Sequence, residues 1–269
     1  MIAHLSPQES IYCICDHALE NRARWFCDAF DGNVLYALKA NPIKYVVDAL
    51  YKGGVRHFDT ASINEIATID EWYDDAHTYF MHPVKGLQAT LDAWNNHGVR
   101  HFVVDHPHEI EKFFSVLPGA AHEVVLVVRM ATPSEDAKFN LSSKFGASVD
   151  EAVKLLQNVQ ARGAKAGLCF HVGSQCATTK GHEAAFEVTR QVLDKAGVEI
   201  VCLDVGGGFP APYPEYNPPP LQDYLDVISR GVKSLSLPEG CELMCEPGRA
   251  MVAHGMSVVT QVVLRKDDS

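Results

Sequence analysis

A closed, eight-stranded parallel (β/α)8 barrel, the TIM-barrel class, is the fold this sequence predicts, and three observations predict it. Eight short apolar runs rich in Val, Phe and Tyr recur along the chain. Each is followed by a helix-length segment with apolar residues three and four apart, the pattern of repeated βα units. Eight such units favour a closed barrel over an open sheet, because closure removes both edges and buries every strand on both faces.

The eight runs are Val34 to Leu38, Val55 to Asp59, Thr78 to His82, His101 to Asp105, Val124 to Met130, Gly167 to His171, Ile200 to Asp204 and Cys241 to Glu246. Between the early runs, Ile43 to Leu50 and Gly86 to Asn96 read as amphipathic helices. Before the first run, Ile11 to Cys15 predicts an additional strand and Ala18 to Phe30 a helix, neither belonging to a βα repeat. Phe209 to Pro220, FPAPYPEYNPPP, is the longest irregular stretch, and its prolines keep it out of helix and central strand. After the eighth run, VVTQVVL is strongly β-like; either it pairs with the Ile11 to Cys15 strand or the chain is a piece of something longer. These features divide the chain into a lead-in at 1–30, the barrel at 31–260 and a remainder at 261–269.

Composition narrows the function. The 269 residues are 47% hydrophobic and 21% charged, enough apolar material for one sizeable core. The formal net charge of −11 argues against a nucleic-acid surface or a polybasic membrane patch. Met1 to Ser10 lacks the basic start and apolar core of a secretory signal, and no apolar run approaches membrane-spanning length, so a cytoplasmic protein is expected. The eight cysteines form no CxxC pair, which leaves no zinc or dithiol motif and makes buried, reduced thiols the expectation.

In barrels of this kind, reactive groups sit at the carboxyl ends of the strands. Those positions hold Lys39, Asp59, His82, Asp105, Arg129, His171, the Gly206 to Gly208 turn and Glu246. All are polar, ionisable or glycine. Lys39, in YALKANP, is placed to reach the barrel mouth, where desolvation would lower its pKa and let it attack a carbonyl to form a Schiff base. Gly206, Gly207 and Gly208 present bare backbone N–H groups as a nest for an anion such as phosphate. Arg249, across the Pro-Gly turn from Glu246, can fork onto the same anion. His171 and Ser174, in HVGSQ, supply a flat aromatic base and a small hydroxyl. One cofactor satisfies the set: pyridoxal 5′-phosphate, with Glu246 favouring a protonated ring nitrogen. A metal-assisted hydrolase on His82, Asp105, His106 and His108 is the competing reading, but that cluster has no partner motif. His57, His97, His101 and His122 read as surface or helix-end residues, and Phe80 and Met81 as barrel core.

The motifs YALKANP (36–42), HFDTAS (57–62), SKFGA (143–147), FHVGSQ (170–175), LDVGGGFP (203–210) and CEPGRAMV (245–252) resemble the barrel domain of the fold-type III pyridoxal-phosphate decarboxylases. This group acts on ornithine, lysine, arginine and diaminopimelate, and its barrel is similar to that of alanine racemase. The resemblance implies that Lys39 carries the cofactor, that His171 stacks on its ring and that Glu246 pairs with the ring nitrogen. It further implies that Ser174, Gly206, Gly207, Gly208 and Arg249 hold the phosphate, and that Asp59 orients Lys39. An acidic residue at the ring nitrogen, where alanine racemase uses arginine, implies decarboxylation. GGGFP and the Pro-rich stretch look more like the bacterial ornithine or lysine type, so L-ornithine, giving putrescine, is the expected substrate. Lysine, diaminopimelate and a truncated non-catalytic homologue or regulator are the alternatives. Asn140 stands where many ornithine decarboxylases carry arginine. Members of the group have a β-rich domain after the barrel, and the resemblance implies a homodimer with shared sites in the complete protein.

Overall fold

The structure is a computed structural model in which residues 8–132, 137–139 and 144–266 are described. Asn140, Ser143 of SKFGA, Met1 to Pro7 and the final residues 267–269 lie outside the described residues. The chain opens with β1 (Ile11–Ile14) and α1 (Asp16–Ala29), followed by β2 (Asn33–Ala37) and a short 3-10 turn at Leu38–Ala40. Then come α2 (Lys44–Lys52), β3 (His57–Thr60), α3 (Ile63–Trp72), β4 (His77–Phe80), α4 (Leu87–Asn95), β5 (His101–Val104) and α5 (Pro107–Val116). The second half comprises β6 (Val125–Met130), β7 (Ala137–Phe139), α6 (Val149–Ala161), β8 (Lys165–Phe170), β9 (Ser174–Cys176) and α7 (Lys180–Ala196). It ends with β10 (Cys202–Asp204), α8 (Leu221–Lys233), β11 (Glu242–Cys245), α9 (Arg249–Val252) and β12 (Met256–Val259).

Eight of these strands close into a parallel barrel in the order β10-β11-β2-β3-β4-β5-β6-β8, so each of the eight apolar runs forms a barrel strand. Helix starts follow from local chemistry. Ser62 accepts from the Glu65 N–H at the head of α3, and Ser148 and Glu151 form a capping box on α6. Pro107 occupies the first turn of α5, where its missing N–H costs nothing.

Strand alternation separates two cores. Leu35, Tyr79, Met81, Val103, Val125, Val127, Cys169, Cys202 and Met244 pack together inside the barrel. Their neighbours, such as Tyr36, Phe58, Phe102, Leu126, Leu168 and Leu203, pack outward in the larger core against the helices. Because side chains alternate with a period of two, every second residue beyond an interior position continues inward. Counting on from Val127, Cys169, Cys202 and Met244 arrives at Arg129, His171, Asp204 and Glu246.

The same counting explains a correction at the opposite end. His57 and His101 are not surface residues: they stand at the starts of β3 and β5 and are partly buried around Tyr79. The His57 ring bonds Tyr79 Oη at 2.9 Å and stacks on His77, with centroids 5.0 Å apart; His101 lies 4.8 Å from the Tyr79 ring. Burial, then His77, lowers the His57 pKa to about 4, and burial, then Lys165 and His57, lowers that of His101 to about 4. Above their unfolded value near 6.5 both are neutral in either state, whereas between 6.5 and 4 only the unfolded chain takes up protons. Stability therefore falls with acidity through that window and levels off below it. Discounted for partial exposure, the pair accounts for roughly 2–4 kcal/mol. Urea denaturation at pH 7 and pH 4.5 measures this loss, and it should shrink by about half in His101→Phe; an unchanged slope would assign the loss to other groups.

Two further pairings flank the barrel. β7 pairs antiparallel with β9. β1 pairs antiparallel with β12 in the register Ile11↔Val259 to Ile14↔Met256, so the additional strand finds its partner after the eighth barrel strand. The β-like stretch is shorter than VVTQVVL predicts: pairing stops at Val259, and Val262, Val263 and Leu264 are exposed. All eight cysteines are free thiols; Cys169, Cys176, Cys202 and Cys245 are buried, but Cys15 is exposed and the rest are half-buried. No helix among the described residues is long and apolar enough to cross a membrane.

Candidate active site

Lys39 projects from the 3-10 turn that follows β2 and meets Asp59, which follows Phe58 on β3, at 2.7 Å between Nζ and Oδ2. Asp59 is almost fully buried, whereas 55% of the Lys39 side-chain surface remains open to the barrel mouth. The expectation of a lowered lysine pKa is overturned. Burial pushes the ammonium down, but Asp59 and then Glu246 outweigh it, and the net direction is up. The sequence places Lys39 next to apolar strand residues; only barrel closure brings the two carboxyls to it.

Glu246 follows β11 and is buried, with its backbone N–H donating to Gly206 O at 2.8 Å. Burial, then Asp204 and Asp59, raises its carboxyl well above the ordinary range, against the pull of Lys39 and Arg129. Asp204, fully buried at the end of β10, is raised to about 6 by burial, with the Gly206 N–H and Glu246 acting in the other direction. Two facing buried carboxyls cannot both ionise cheaply, so the pair retains a proton near neutral pH. Asp204 and Arg129 are the participants whose roles the sequence reading left unassigned. The signal was present in the strand alternation, which puts both inward.

His171 is held by Thr132, whose hydroxyl donates to its carbonyl, and by the Gly173 N–H, which donates to Nδ1 at 3.0 Å. With Nδ1 accepting, Nε2 carries the hydrogen in the neutral ring. Burial, then Lys39 and Arg129, drives the imidazole pKa well down, so a neutral flat ring faces the mouth. Gly207 makes this approach possible: a Cβ there would lie 2.9 Å from both His171 Nε2 and Glu246 O. Gly206 has φ +65° and Gly208 φ +96°, conformations suited to glycine. The Gly206 N–H already donates to Asp204 Oδ1 at 2.8 Å, so Gly206 shapes the turn rather than offering a donor.

A cavity of about 220 Å³ gathers Lys39, His171, Ser174, Gly208, Glu246 and Arg249. A larger groove of about 390 Å³ between α7 and the segment after α8 contains none of these side chains. Arg249 donates from Nη1 to Tyr213 Oη at 3.3 Å, and its buried Nε has no hydrogen-bond partner among the described residues. A buried guanidinium N–H left over beside a glycine turn fits an anionic group that the cavity would receive. His82, Asp105 and His106 are not among the residues that line the cavity. His82 bonds the Val84 backbone, Asp105 accepts from the Gly146 N–H, and His106 caps α5 by accepting from the His108 N–H. Among the described residues no group of three or more His, Cys, Asp or Glu side chains is arranged to hold a metal.

A barrel mouth with an amine, proton-holding carboxyls and an anion pocket belongs with barrels that grip a phosphate-bearing carbonyl cofactor. Comparison with known sequences makes the class specific. Residues 17–253 match the pyridoxal-binding domain of the pyridoxal-dependent decarboxylases, and the chain belongs to that family, whose cofactor is pyridoxal 5′-phosphate. It is 37% identical over 240 residues to a lysine/ornithine decarboxylase of Selenomonas ruminantium, covering 86% of this chain and 58% of that protein. It is 30% identical over 239 residues to antizyme inhibitor 2 of Xenopus laevis, covering 86% of this chain and 50% of that protein. A solved structure of an SrLDC mutant in complex with PLP is 31% identical with a TM-score of 0.86, covering 100% of this chain and 69% of that one. The chain thus spans between half and three-fifths of the length of these two relatives.

Proposed function

We propose that this chain carries the cofactor barrel of a pyridoxal-phosphate-dependent decarboxylase acting on a basic L-amino acid, L-ornithine first, releasing putrescine. The observation that carries the proposal is the convergence of Lys39, Asp59, His171, Glu246 and Arg249 on one mouth. Lys39 is the residue that would hold the cofactor, with Asp59 directing its Nζ. Ser174, Gly207, Gly208 and Arg249 would hold the phosphate, Gly206 setting the turn. His171, which lines the cavity, would stack on the cofactor ring, and the Glu246 carboxyl would supply the proton that its ring nitrogen requires. When bound, the cofactor supplies an electron sink for the pair left behind as the α-carboxylate departs.

In this reading residues 31–260 are the cofactor domain, 1–30 lead into it and 261–269 begin a further β domain. The complete protein is a homodimer with shared sites, working in the cytoplasm, where eight free thiols suit a reducing environment. The similarity to an antizyme inhibitor favours a second reading, a non-catalytic regulator built on the same barrel. Carbon dioxide release from ornithine, lysine, arginine and diaminopimelate decides between them, measured on this chain and on a longer form carrying a C-terminal β domain. Release fastest from ornithine supports the first reading. Cofactor uptake without release from any of the four, in either form, supports the second.

A further inference from the structure

The Pro-rich loop between β10 and α8 is tied down at several points. Tyr213 and Tyr216 pair through reciprocal backbone bonds of 3.0 and 2.9 Å, closing a tight turn in which Glu215 has φ +64°. Tyr216 Oη donates to Gln175 O at 3.2 Å. Gln175 is itself buried, with φ +60°, and its side-chain amide grips Ala211 twice, donating to its carbonyl and accepting from its N–H. The Cys176 N–H donates to Gly208 O at 3.1 Å, joining β9 to the glycine turn. The loop is therefore braced against the strand that begins with Ser174, and the brace sets Tyr213 Oη on the Arg249 guanidinium.

From this geometry we infer that Tyr213 is a further binding residue for the anion held by Arg249, the cofactor phosphate. In its bond with Arg249 the hydroxyl oxygen accepts, so its hydrogen is left to donate, and among the described residues it has no acceptor. A phosphate against Arg249 provides that acceptor, and a hydroxyl polarised by a guanidinium is a strong donor to a dianion. The inference rests on the reading of the cavity as the cofactor site.

Titration of the full chain with pyridoxal phosphate and, separately, with pyridoxal tests it, using visible absorption and fluorescence quenching. Tyr213→Phe is expected to weaken pyridoxal phosphate binding by about tenfold and leave pyridoxal binding unchanged. Inorganic phosphate alone should bind the parent about tenfold more tightly than it binds Tyr213→Phe. Unchanged pyridoxal phosphate affinity in Tyr213→Phe, or an equal loss for both compounds, overturns the tyrosine's role while leaving the cofactor reading intact. A parent chain that takes up neither compound ends the cofactor reading and this inference with it.

Discussion

Lys39→Ala should abolish the visible absorption that develops when pyridoxal phosphate is added to the parent chain, and should reduce decarboxylation by at least about three orders of magnitude. The parent's uptake carries a second signature. The ammonium is held above its ordinary value by Asp59 and Glu246, so only its minor neutral fraction can attack a carbonyl at pH 7. Each added pH unit raises that fraction about tenfold until the amine is titrated, and the uptake rate should climb accordingly between pH 7 and 9. In Asp59→Asn the carboxylate bonded to Lys39 Nζ becomes a neutral amide, so uptake at pH 7 should be faster while the retained complex is less well oriented. A pH-independent rate, or absorption that survives in Lys39→Ala, would place the attachment point elsewhere.

Glu246→Gln should separate binding from turnover. Gln matches the carboxyl in size but neither holds nor hands over a proton, whereas Glu246 and Asp204 together retain one in their buried pair. Removing a positioned proton donor typically costs about 10²–10⁴ in rate. If the proposed decarboxylase reading holds, the variant is expected to lose that much in kcat while Lys39, Ser174 and Arg249 preserve cofactor affinity within a few-fold. Equal losses in affinity and kcat would reassign Glu246 to cofactor retention. Activity within tenfold of the parent would remove it from the chemistry.

Much of the architecture was legible because apolar runs of strand length are physically constrained. All eight became barrel strands, with ends displaced by one or a few residues, since strand termini depend on turn geometry rather than on hydropathy. The rim was legible for a related reason: the carboxyl end of a strand is a position that can be counted. What remained hidden depended on distance across the closed barrel. The upward shift of Lys39 is a balance among groups on several strands, and the proton shared by Asp204 and Glu246 requires β10 and β11 to lie side by side. His57 and His101 were misassigned because a histidine at the start of a strand looks the same in sequence whether it points to solvent or into the barrel floor. The three-residue β7 and β9 are too short to carry any periodicity.

The pairing of β1 with β12 joins segments separated by almost the whole chain. Contacts of such separation carry the greatest loop-closure cost, and they are reached only after the intervening units have condensed. During synthesis, the first strand therefore leaves the ribosome long before its partner exists. Until then, its open edge is available to other chains, which makes this clasp the step at which crowding and slow translation would divert the protein toward aggregation.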